Sequence, residues 1–101
     1  MDLQHWRDQI DEADEELVRL LNRRAAYVQE IAKLKQTAGL PIHLPEREAE
    51  VLARIQALNS GPLGADALRR LFQCIIEESR RLEHLTLSGQ TKDDEYAESS
   101  T

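Results

Sequence analysis

Apolar side chains recur every three or four positions from the start of the chain: Leu3, Trp6, Ile10, Ala13, Leu17, Leu20, Tyr27, Ile31 and Leu34, with one place skipped at residue 24. That period lines one face of a helix. No Pro or Gly interrupts the run before Gly39. Asp2 is placed to cap the start, Gly39 sits just past the end, and Pro41 enforces the stop. The pattern therefore predicts one helix from Leu3 to about Ala38. Such a helix is about 54 Å long at the usual rise per residue. A compact domain of about 100 residues has a radius of gyration of only about 13 Å. One chain does not surround a rod of that length, so a second chain is expected along it, most simply as a two-fold homodimer.

The stretch from Gly39 to Leu44 reads as a loop, and Pro45 suits the first position of a second helix whose apolar residues include Val51, Leu52, Ile55 and Leu58. A second loop, dense in turn formers, covers Asn59 to Gly64. A third helix is expected from near Ala65, with Leu68, Leu71, Phe72, Ile75, Ile76, Ser79 and Leu82 on one continuous face. The pattern fades after about His84, which divides the chain into a helical domain over 1–85 and a polar, disordered tail over 86–101. The fold class is all-α: three helices per chain, the first one long, in an intertwined helical homodimer.

Composition narrows the function. The 101 residues carry a formal net charge of −6, which argues against a general binder of nucleic acid or anionic membrane and leaves room for a local cationic pocket. The single cysteine, Cys74, allows no intrachain disulfide and no cysteine cluster, and on the apolar side of the third helix it reads as a small core residue. His5, His43 and His84 lack the spacing of metal ligands, so no metal is expected. Neither a phosphate-cradling glycine loop nor a nucleophile elbow occurs. The N-terminus lacks the charged and apolar regions of a signal peptide and no run is long enough to span a membrane, so a cytoplasmic location is expected.

The residues that break the apolar pattern carry the chemistry. Arg24 fills the skipped place, one heptad after Leu17 and one before Ile31. A cation on an apolar face needs a partner. An ion pair with a neighbouring helix, or a snorkelling side chain, explains it as well as a ligand does. Lys35 lies eleven residues on, within about 20° of Arg24 around an ideal helix. Two cations on one inward stripe invite an anion, although Lys35 alone is accounted for by the helix dipole. Arg7 lies roughly 25 Å back along the axis and about 100° around it, so on a straight helix it does not reach the same small pocket. The partner's Arg7 could do so in an antiparallel dimer; otherwise it is an exposed first-turn residue. Glu46, Arg47 and Glu48 open the second helix, where charged residues are common. Ser79 and Glu83 share a face of the third, yet a small packing residue and a solvated final-turn carboxylate account for them singly.

Taken together, these segments resemble the all-α class of chorismate mutases. The resemblance runs from Leu3 to about His84. Its motifs are Trp-Arg-Asp-Gln-Ile-Asp-Glu-Ala-Asp over 6–14, Leu-Leu-Asn-Arg-Arg-Ala over 20–25 with Ile-Ala-Lys-Leu-Lys over 31–35, Pro-Glu-Arg-Glu over 45–48, and Leu-Phe-Gln-Cys-Ile-Ile-Glu-Glu-Ser over 71–79. Members of that class are typically intertwined homodimers that need no cofactor. They convert chorismate to prephenate on the route to phenylalanine and tyrosine, often fused to dehydratase, dehydrogenase or synthase domains.

The resemblance implies a role for each charged position. The partner's Arg7 and Arg24 would bind substrate carboxylates, with Ser79 contacting one of them. Lys35 would donate to the ether oxygen and a carboxylate, Glu48 would bind the substrate hydroxyl, Arg47 would support the charge network at the wall, and Glu83 would face the ether oxygen. Two positions depart from the common pattern. Leu44 stands where the family often has Asp, which removes a side-chain cap. Glu83 stands where many members have Gln, and facing an oxygen that gains negative charge it serves only as a carboxylic acid that donates. Two other readings share these residues: an isochorismate pyruvate lyase, with the same fold and cationic site, and a non-catalytic helical dimerisation module.

Overall fold

The computed structural model describes residues 2–100, with side chains for residues 2–89. It holds three helices, α1 (Leu3–Ala38), α2 (Pro45–Leu58) and α3 (Ala65–Ser100), and no strand among the described residues. The ends of α1 follow from local chemistry. The Asp2 carboxylate accepts from the Gln4 backbone N–H at 3.0 Å, satisfying one of the donors a helix start leaves free. At the other end Gly39 takes φ 71°, which its missing Cβ permits. Gly39 N–H then donates to the Gln36 carbonyl and Leu40 N–H to the Lys35 carbonyl at 2.8 Å, the paired bonds of a Schellman ending. Pro45 opens α2, and Leu44 before it gives no side-chain cap.

The chain is a thin slab, 55 × 39 × 16 Å, with a radius of gyration of 17.6 Å. Its short dimension is little more than one helix diameter. α3 packs against both α1 and α2. Among the described residues Val28, Ala32 and Ile76 are the buried apolar ones, a small core.

The expectation that changes here is the packing of Cys74, and it follows from which helix faces the chain itself covers. The apolar stripe read along α1 does not pack on its own chain: Leu3, Trp6, Ile10, Leu17, Leu20, Tyr27, Ile31 and Leu34 are all exposed. α3 instead covers a neighbouring stripe of α1 that includes Ala25, Val28 and Ala32. The 3.6-residue period locates an apolar face without saying which chain covers it. For the same reason Cys74 is exposed rather than a core residue. It lies in an open groove between α1 and α3, beside Leu21 and Ala25. The helix α3 also carries on past His84 into the segment expected as a tail over 86–101, most of which, from residue 90 on, lies outside the described side chains.

Candidate active site

One cleft, of about 250 Å³, collects side chains from all three helices. α1 supplies Arg24, Val28, Ile31 and Lys35; α2 and its lead-in supply Leu44, Arg47, Glu48 and Val51; α3 supplies Ile76, Ser79, Arg80 and Glu83. Each set keeps helical spacing, so each is one stripe of its helix turned to a common space. Apolar wall from Val28, Ile31, Ile42, Leu44, Val51 and Ile76 alternates with six charged side chains and Ser79, a combination suited to a small polar ligand.

The charged groups are arranged in linked contacts. Arg24 donates to Ser79 Oγ at 2.6 Å, and Ser79 in turn donates to the Ile75 carbonyl at 2.8 Å, which leaves the hydroxyl fixed in direction. Burial holds the Arg24 guanidinium below its ordinary value, and the charge of Arg47 adds a smaller push the same way. Arginine remains cationic after such a shift. Lys35 Nζ donates to the Ile42 carbonyl at 2.7 Å and stands 2.9 Å from Glu83 Oε1. That second approach is an ion contact without the alignment of a hydrogen bond, since Glu83 Oε1 is closed to water and has no aligned donor. The two side chains are 13% and 7% exposed, so the pair sits in a low-dielectric part of the cleft. Glu48 faces His43 Nε2 at 3.4 Å with one oxygen and Arg80 Nε at 3.2 Å with the other. Arg47 reaches the cleft wall and also pairs with Glu50 at 2.8 Å on the exposed side of α2.

Six of the seven sequence-derived positions, Arg24, Lys35, Arg47, Glu48, Ser79 and Glu83, thus meet at one cleft. Arg7 does not: it is exposed near the start of α1 and lines no part of the cleft of its own chain. The sequence reading also missed Arg80, although Ile76, Ser79, Arg80 and Glu83 make a complete three-and-four stripe that would have pointed to it. It missed the Ile42 carbonyl as well, for which the sequence holds no signal. Among the described residues no group of three or more His, Cys, Asp or Glu is placed to hold a metal ion. No helix among them is long and apolar enough to cross a membrane.

A sequence profile described as chorismate mutase type II matches residues 6–84. The chain belongs to that family. The chorismate mutase of Methanocaldococcus jannaschii is 31% identical over 78 residues, covering 76% of this chain and 79% of that protein. The bifunctional chorismate mutase/prephenate dehydratase of Aquifex aeolicus is 41% identical over 86 residues, 81% of this chain and 24% of that protein. The chain therefore spans about a quarter of the length of the bifunctional relatives it matches. The solved chorismate mutase (form II) of Thermus thermophilus superposes with a TM-score of 0.80 at 40% identity, over 81% of this chain and 93% of that one. The family match begins at Trp6 and ends at His84, and so takes in Arg7 and every cleft residue named above.

Proposed function

We propose that the chain is a chorismate mutase and that the three-helix cleft is where chorismate rearranges to prephenate. The observation that carries this reading is the charge pattern of the cleft. Four cations, Arg24, Lys35, Arg47 and Arg80, face two carboxylates, Glu48 and Glu83, across apolar walls. Cations outnumber anions by at least two whichever form Glu83 takes, a surplus that suits a small dianion.

The chemistry asks little else of a protein. In a Claisen rearrangement the ether C–O bond breaks as a C–C bond forms, with no nucleophile, proton transfer or cofactor. Catalysis then consists of holding the flexible dianion in a compact conformation and stabilising charge that grows on the ether oxygen. Arg24 suits a carboxylate because its donors are planar and bidentate, and Ser79 is tied to it. Lys35, a point charge anchored on the Ile42 carbonyl, takes the ether oxygen. Glu48 accepts from the substrate hydroxyl, Arg47 supports the network at the wall, and Glu83 faces the ether oxygen.

In the free protein Glu83 is the ion partner of Lys35, so it fits that last role only by taking up a proton as the dianion binds and donating from the acid form. Replacing it with glutamine keeps a donor in place at every pH. The rate of Glu83→Gln is expected to match or exceed wild type in neutral and alkaline buffer, with a flatter pH–rate profile. A variant whose profile overlays that of wild type removes Glu83 from the role.

The functional unit in this reading is an intertwined homodimer in the cytoplasm, with Arg7 donated across the interface to the partner's cleft. Three features support the shared dimer: the slab is one helix thick, the apolar stripe of α1 is bare, and Arg7 is remote from its own cleft. A monomer leaves that stripe in water, an unfavourable exposure of apolar area. Incubation with chorismate, and separately with isochorismate, and identification of the product tests the activity. Prephenate supports the mutase. Salicylate from isochorismate favours the lyase, and inertness toward both favours a dimerisation module.

A further inference from the structure

Arg80 reaches the cleft from the same stripe of α3 as Ser79 and Glu83. Its Nε is closed to water, lacks an aligned hydrogen-bond acceptor, and lies 3.2 Å from Glu48 Oε2. The other Glu48 oxygen lies 3.4 Å from His43 Nε2. Glu48 itself comes from the first turn of α2, which has no side-chain cap. Among the described residues α2 packs on α3 and not on α1. The place of that turn relative to Arg24 and Lys35 is therefore set through α3, and the Arg80–Glu48 pair is the charged tie between the two helices at the cleft.

A second consequence is electrostatic. Glu48 shares a small cleft with Arg24, Lys35 and Arg47. A carboxylate free to swing in that space pairs with those cations and competes with an incoming anion. Resting on the functional reading above, we propose that Arg80 is a positioning residue. It holds the Glu48 carboxylate on the α3 side of the cleft, oriented to accept the substrate hydroxyl and kept off the cations that receive the substrate carboxylates.

Steady-state kinetics of Arg80→Gln, Glu48→Gln and the double variant test this. Arg80→Gln is expected to lower kcat/KM about tenfold, chiefly through a raised KM, the size of a typical coupled pair. In the Glu48→Gln background the same change is expected to cost less than about twofold, because no free carboxylate remains to compete. Arg80→Lys, which keeps the charge on a flexible stem, falls between wild type and Arg80→Gln and serves as the second variant if the latter folds poorly. Equal losses in the two backgrounds overturn the proposal. If wild type leaves chorismate untouched, the functional reading fails separately. Positioning is then judged from a crystal structure of Arg80→Gln or Arg80→Lys. A Glu48 carboxylate swung toward Lys35 or Arg47 upholds it, and one still in place beside His43 overturns it.

Discussion

Lys35→Ala is expected to reduce kcat/KM for chorismate by about 10³-fold, the loss typical of removing a preorganised donor from a developing oxyanion. The ammonium is held from two sides, by the Ile42 carbonyl at 2.7 Å and by Glu83 at 2.9 Å. A water molecule in the vacated space lacks the charge, and it must reorient as the C–O bond breaks. The fall is expected mostly in kcat, because the ether oxygen becomes anionic only in the transition state. In the free protein the variant also strands the Glu83 carboxylate, 5% exposed, without its counter-charge. Breaking such a buried pair costs about 3–5 kcal/mol, a large share of the stability of a small domain. Lys35→Ala combined with Glu83→Gln separates the two effects. Thermal unfolding should recover most of its midpoint, while turnover stays low. Recovery of turnover with stability would show that Lys35 acts only through folding.

Arg24→Ala is expected to lower kcat/KM by about 10²–10³-fold, in keeping with the loss of one partner of a desolvated, hydrogen-bonded charge pair. Here KM should rise as well, since a substrate carboxylate is charged in ground and transition states alike. Ser79 keeps its bond to the Ile75 carbonyl in this variant, so the α3 side of the site should stay ordered. Arg7→Ala should be comparably impaired, and mixing the two defective proteins is expected to restore activity. If each cleft takes Arg24 from one chain and Arg7 from the other, half the dimers in an equal, fully exchanged mixture carry one intact site. About a quarter of wild-type activity should return from two nearly inactive samples, given the two-fold symmetry of such a dimer. A mixture that stays inactive after subunit exchange has been demonstrated would remove Arg7 from the shared site.

How far the sequence reaches into this account depends on whether a feature is local. The bounds of α1 were legible because each rests on neighbours in the chain: Asp2 on Gln4, Gly39 on Gln36, and Pro41 just beyond. Arg24 and Lys35 stood out because helical geometry alone puts them on one stripe. Arg47, Glu48, Ser79 and Glu83 were drawn together by resemblance, since their spacing had an ordinary explanation at each place. What remained hidden depends on how distant segments meet. The spacing of Arg80 with Ile76, Ser79 and Glu83 puts it on the cleft stripe, but its partner appears only when α2 folds back and sets Glu48 beside it. The Ile42 carbonyl is a backbone atom, and residue type says nothing of its direction. The bare stripe of α1 and the exposed Cys74 mark the same boundary: periodicity says that a face is apolar, and only the packing says whether its own chain covers it.

The claim that this cleft rearranges chorismate is tested most directly by following chorismate by proton NMR in the presence of the purified chain, beside a Lys35→Ala control. The expected result is loss of the chorismate signals with matching growth of prephenate in the wild-type sample, at a rate far above that of the control. Unchanged chorismate, or equal conversion in both samples, would contradict it.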